Sequence, residues 1–198
     1  MSDKQAKWQQ RYLAAEANAP QAAQVLQQNA FLLPKLGRAL DMACGRGGNA
    51  LLLAAHGLET HAWDFAPAAI EALQQQAATQ NLTIQGEVRD VLAEPPPPAS
   101  FDVISVSYYL ERALAPALSA ALRPGGLLFY ETFSRDAVSD GGPSNPAFRL
   151  APNELLQLFG DLRVISYREL STLGDTREGE RDVAMLVAQK SVPDRDAK

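Results

Sequence analysis

From position 38 onward, apolar runs of strand length alternate with stretches whose apolar residues recur every three to four positions. The pattern predicts strands at 39–44, 59–63, 82–88, 101–107 and 126–132, with helices at 49–56, 67–80 and 110–122 between them. Strands that alternate with helices pair in parallel, and their crossovers cover both faces of the sheet. Two segments break the rhythm. Four prolines at 95–98 cannot pair in a sheet, so a surface loop is expected in place of one crossover helix. Residues 134–150 are polar and glycine- and proline-bearing, and a connection this long in a compact domain points to function. A helix at 152–158 and strands at 162–168 and 182–188 follow, joined through a hairpin connection at 173–180, so the fold is expected to close with an antiparallel pair.

The segment before position 34 is rich in Gln and Ala, lacks glycine, and predicts one or two helices broken at 18–20. Trp8, Arg11 and Tyr12 are three and four apart and share one helical face. The expected organisation is a helical cap or lid over 1–36, one α/β domain over 37–190, and a disordered tail over 191–198. The fold class expected is a Rossmann-like, doubly wound α/β sheet.

Composition removes several function classes. With 18 Lys and Arg against 23 Asp and Glu the formal charge is −5, which argues against an extended phosphate-binding face and hence against nucleic acid. A single cysteine, Cys44, allows neither an internal disulfide nor a cysteine-built metal site, and two histidines bring no third ligand, so no metal is expected. The N-terminal residues carry no apolar signal stretch, and no run approaches the ~18 apolar residues that span a bilayer. A cytoplasmic protein without a membrane partner, monomeric or homodimeric, is expected.

In open parallel sheets ligands bind beyond the carboxyl ends of the strands, where strand order reverses. After the first strand comes Asp41-Met-Ala-Cys-Gly45-Arg-Gly47-Gly48. Its glycines allow a sharp turn and close approach of a ligand, and the helix that follows presents free N–H groups. Residues 45–50 also fit the relaxed dinucleotide pattern G-x-G-x-x-[GA]. Asp41 favours a different ligand, because a carboxylate suits an ammonium and is poorly placed beside a pyrophosphate. Asp64, at the end of the second strand, suits the two hydroxyls of a ribose. Asp90 suits an adenine amino group, with Val91 against the ring. Ser107, Tyr108 and Tyr109 follow the fourth strand, and only one of the two tyrosines can point into a site. Glu131 ends the fifth strand.

The set Leu40-Asp41-Met-Ala-Cys44-Gly45-Arg-Gly47, Asp64, Arg89-Asp90, Phe101-Asp102-Val-Ile and Leu122-Arg-Pro124-Gly125-Gly126 resembles the class I S-adenosylmethionine-dependent methyltransferases over roughly residues 38–133. Trp8, Arg11-Tyr12, the segment 130–133 and the segment 183–190 resemble the tellurite-resistance (TehB-like) subgroup. The resemblance implies a seven-stranded sheet with the last strand inserted antiparallel, and S-adenosyl-L-methionine as cofactor. The contacts it implies are Arg11, Asp41, Ala43, Gly45, Arg46 and Gly47 around the methionine moiety, Asp64 and Phe65 at the ribose, Asp90 and Val91 at the adenine, and Ser107 near the methyl. The family's loop usually begins Asp-x-Gly, whereas this chain has Ala43, which fits without strain only if its φ is negative.

The activity implied is in-line methyl transfer to a small molecule, in which the protein supplies orientation and a dry pocket. Tyr108, Tyr109, Glu131, Arg149 and Arg181 are the acceptor-side candidates, and an arginine pair would suit an anionic acceptor. No histidine is placed to act as a base. Two alternatives are a binding protein for the same cofactor without catalysis and an NAD-dependent oxidoreductase of similar topology.

Overall fold

The computed structural model describes residues 3–14 and 19–193. Residue 18 of the break expected at 18–20 and residues 194–198 of the tail expected over 191–198 fall outside them. Seven strands form one sheet in the order β3-β2-β1-β4-β5-β7-β6. They are β1 Arg38–Met42, β2 Glu59–Asp64, β3 Ile84–Val88, β4 Phe101–Ser107, β5 Leu122–Phe133, β6 Arg163–Glu169 and β7 Val183–Gln189. The first five run parallel, and β7 enters antiparallel between β5 and β6. The α-helices among the described residues are α1 Asp3–Leu13, α2 Gln24–Gln28, α3 Gly48–Ala55, α4 Pro67–Thr79, α5 Ala115–Ala121 and α6 Glu154–Leu158.

Alternation along the strands builds a core on each face. Leu40, Met42, Ile104, Val106, Leu128 and Tyr130 point to one side and pack with α5 and α6. Ala39, Val103, Leu127 and Phe129 point to the other and meet Val25 and Leu26 of α2 and Leu53 of α3. A third cluster, with Ala62, Leu73 and Ile84, packs α4 on β2 and β3.

The structure departs from the sequence expectation in three places. The crossover before β5 opens as a 3-10 turn at Arg112–Leu114 and becomes α-helical only from Ala115. Pro116 explains this: a proline is tolerated in the first turn of a helix and not in its interior. Residues 123–125, which fall between the expected helix and strand, lie inside β5 as an irregularity, since Phe101 opposes Leu122 whereas Val103 opposes Leu127. The helix expected from 152 starts at Glu154, whose Oε2 accepts the N–H of Ala151 at 2.7 Å. The proline run does connect β3 to β4 without a helix.

Two motifs belong to the opposite end of the sheet from the glycine turn. Asp102 Oδ2 accepts the N–H of Arg38 and the guanidinium of Arg123, each at 2.7 Å. This pair fastens the start of β1 to the irregular start of β5, which is a structural role.

Candidate functional site

β1 and β2 end side by side, with Met42 opposite Trp63, and the chain leaves β1 through residues 43–48. Gly47 has φ +84 and caps α3 in the left-handed region, where glycine carries no Cβ penalty. Gly48 is required for another reason: a Cβ there would collide with the backbone carbonyl of Gln21. Ala43 has φ +54, so this alanine is left-handed and does not meet the condition for a strain-free fit. That conformation costs a residue with a Cβ roughly 1–2 kcal/mol, partly offset by the greater freedom of glycine in the unfolded chain. Ala43→Gly is therefore expected to stabilise the protein by about 0.5–1 kcal/mol, measured as a higher denaturation midpoint with an unchanged slope.

Asp41 is buried at the end of β1. Its Oδ2 accepts the N–H of Ala50 at 3.0 Å and its Oδ1 accepts from Asn49 Nδ2 at 3.3 Å. Burial outweighs these bonds and pushes its pKa up to about 7. Asn49 is a junction that sequence reading missed. Its Nδ2 also donates to Ser107 Oγ at 2.7 Å, and its Oδ1 accepts the N–H of Ala23 at 2.8 Å. One amide thus joins β1, β4 and the segment before α2. The signal was a lone amide in the otherwise apolar first turn of α3.

Asp64 is buried at the end of β2, 3% exposed. It accepts the N–H of Gly45 at 3.0 Å and of Ala66 at 2.9 Å, and the hydroxyl of Tyr12 reaches it from α1. Burial raises its pKa above the ordinary carboxylate range. Tyr12 also covers Gly45, where an added Cβ would lie 3.1 Å from its hydroxyl. α1 is anchored beside it, with Gln5 donating to the Phe65 carbonyl at 2.7 Å and Gln9 accepting the N–H of Ala68 at 2.9 Å. Arg11 is exposed, with its guanidinium 4.9 Å from the Trp8 ring centre. Arg46 is half-buried within the glycine turn.

Asp90 is exposed and accepts the N–H of Leu92 at 3.0 Å, as a turn aspartate does. Val91 is buried in the cluster that holds Trp63 and Val106. The two tyrosines after β4 part company. Tyr109 packs against that core, and burial pushes its pKa up to about 12. Tyr108 has φ +54 and is 52% exposed, and its hydroxyl donates to Glu131 Oε1 at 2.7 Å. Glu131 is buried, and its Oε2 accepts the N–H of Val25 at 2.7 Å. A cleft of about 450 Å³ opens beside Tyr108, lined also by Phe133, Val138, Thr176 and residues 179–183.

Arg149 and Arg181 do not form a pair aimed at a ligand. Arg149 donates to the carbonyls of Pro143, at 2.8 Å, Ser134, at 3.0 Å, and Gly141. Arg181 donates to the carbonyls of Asp175, at 2.6 Å, Glu178, at 2.5 Å, Ser171 and Leu173. Each guanidinium holds its own loop in shape. Among the described residues no cluster of His, Cys, Asp or Glu is arranged to hold a metal, and no helix is long and apolar enough to cross a membrane.

Residues 39–126 match the methyltransferase domain family. A ubiquinone biosynthesis O-methyltransferase of Methylocella silvestris is 35% identical over 107 residues, which are 52% of this chain and 42% of that protein. The chain spans less than half the length of the curated relatives it matches. Among solved structures, TehB from Haemophilus influenzae aligns over 95% of this chain and 67% of its own, with 20% identity and a TM-score of 0.68. An S-adenosylmethionine-dependent methyltransferase from Mesorhizobium loti aligns over 85% of this chain and 99% of its own, with 17% identity and a TM-score of 0.66. Residues 39–126 are therefore similar to a methyltransferase domain, and they are set in a chain with the fold of the S-adenosylmethionine-dependent methyltransferases.

Proposed function

We propose that the protein binds S-adenosyl-L-methionine at the ends of β1 and β2 and transfers its methyl group to a small molecule. One observation carries this reading: two buried carboxylates, Asp41 and Asp64, flank a single glycine turn at neighbouring strand ends. Asp41 meets the ammonium and Asp64 the ribose hydroxyls, while the N–H groups of the turn face the cofactor's carboxylate. Asp64 takes its sugar in place of the Tyr12 hydroxyl, so that α1, within the cap expected over 1–36, lies against the cofactor of the 37–190 domain. Asp90, Val91 and Ser107 complete the adenine and methyl ends. The reacting group belongs to the cofactor, which supplies an electrophilic methyl; the chain orients it and excludes water. We place the protein in the cytoplasm, as a monomer or homodimer acting without nucleic acid or membrane. Calorimetry is expected to show binding of S-adenosylmethionine and of its demethylated product and none of NAD; the opposite preference would sink this reading.

The state of Asp41 sets a pH dependence. An ammonium binds the ionised carboxylate, so affinity must weaken as pH falls below about 7. From pH 7 to 6 the ionised fraction drops roughly five-fold, and the dissociation constant is expected to rise by about as much. The cofactor's own α-amino group titrates at about 8, so it stays protonated through this window. In Asp41→Asn the slope should vanish. The linked effect on folding has the opposite sense. The folded protein holds a proton at Asp41 that the unfolded chain has lost, so the stability from this group is present below about pH 4 and fades as pH rises to about 7.

A further inference from the structure

The cleft beside Tyr108 lies next to a dyad that the cofactor does not use. Tyr108 is a non-glycine residue held at φ +54, a conformation that persists only where the surroundings enforce it and that gathers at functional positions. It turns the ring out of the β4 line onto Phe133, with centroids 5.3 Å apart. The hydroxyl is thereby set on Glu131, whose second oxygen is fixed by the Val25 N–H of α2. We propose that Tyr108 and Glu131 form a proton relay serving a hydroxyl-bearing, planar methyl acceptor seated in this cleft. The proposal rests on the methyltransferase reading and names its acceptor class.

Charge and shape point to that class. The two guanidiniums that would have drawn an anion are tied to loop carbonyls. The cleft is lined by two carboxylates, Glu180 and Asp182, against one cation, Arg181, whose donors are turned to loop carbonyls, and Asp182 is engaged by the N–H groups of Val138 and Ser139. A neutral acceptor therefore enters at less electrostatic cost than an oxyanion. The Tyr108 and Phe133 rings offer a face for a planar molecule. A thiolate or metalloid oxyanion needs no base, whereas a neutral hydroxyl must lose a proton as it attacks. In the step, the acceptor oxygen bonds to the methyl carbon as the sulfur–methyl bond breaks, and the sulfonium becomes a neutral thioether. The acceptor's proton passes to the Tyr108 oxygen while the tyrosine's own proton passes to Glu131. Phenol and carboxylate shift together, so no free phenolate forms, in keeping with burial that drives the Tyr108 pKa upward. Four groups bear on Glu131. Burial and Glu180 raise its pKa, and the hydrogen bonds from Tyr108 and Val25, with the charge of Arg168, lower it. The net direction is upward, toward the range a general base requires.

The test uses the full chain with methyl-labelled S-adenosylmethionine and three probes: a simple catechol, 2-mercaptoethanol and selenite. Transfer to the catechol is expected. Tyr108→Phe, at a half-exposed position that keeps the ring, should lower kcat for the catechol about 10²-fold with cofactor affinity unchanged. At saturating cofactor, where Asp41 is held ionised, kcat should fall on the acid side along a limb set by Glu131, and Glu131→Gln should abolish that limb. Transfer confined to the thiol or selenite, or a loss under tenfold in Tyr108→Phe, overturns the relay. Cofactor binding without any transfer also overturns it and leaves the cofactor reading standing. Failure to bind the cofactor removes the reading beneath it.

Discussion

Asp64→Ala is expected to weaken S-adenosylmethionine binding by about 1–3 kcal/mol, roughly 5- to 150-fold in the dissociation constant. The size follows from what the substitution strands. Asp64 is buried and holds the N–H groups of Gly45 and Ala66 together with the Tyr12 hydroxyl. Bound sugar hydroxyls would face a position with no acceptor, while the two backbone N–H groups lose theirs. Asp64→Asn separates the effects, because one amide oxygen still accepts from the turn and the negative charge is gone. Titration calorimetry alongside a denaturation curve distinguishes lost affinity from lost fold. An unchanged dissociation constant for the alanine variant would remove Asp64 from the ribose.

Phe129→Ala is expected to cost about 3–5 kcal/mol of stability, the range for truncating a buried aromatic. Phe129 is wholly buried on β5, between Ser105 of β4 and Val187 of β7, and belongs to the cluster that holds α2 on the sheet. That is a large part of the 5–15 kcal/mol by which a domain is ordinarily stable. The consequence reaches the site, since α2 supplies the Val25 N–H to Glu131. Urea denaturation should show the midpoint falling at constant slope. A loss under about 1 kcal/mol would mean that α2 closes over the cavity.

The parallel half of the sheet was legible because each buried strand writes an apolar run and each crossover writes a helical period. The same ordering announced Asp41 and Asp64, which sit where strands stop. What stayed hidden depends on direction in space. Ala43 at φ +54 cannot be read from a residue that is ordinarily left-handed only under constraint. Tyr108 and Tyr109 are identical in type and adjacent, and only the backbone turn at Tyr108 sends one outward and the other to the core. Arg149 and Arg181 looked like ligand clamps because both lie near glycine-rich loops, and the structure shows those loops consuming their donors. Asn49 escaped notice because two of its three partners, Ala23 and Ser107, are far away in sequence.

The family match stops at residue 126, and of the groups around the 450 Å³ cleft only Tyr108 precedes that point. Apart from Phe133 and Val183 at the ends of strands, the rest hang from two surface excursions, one after β5 and one between β6 and β7, each braced internally by its own arginine. Such self-supporting appendages can be exchanged by insertion or drift without disturbing the inherited half of the molecule. Likeness in the shared half therefore carries little information about what surrounds this cleft.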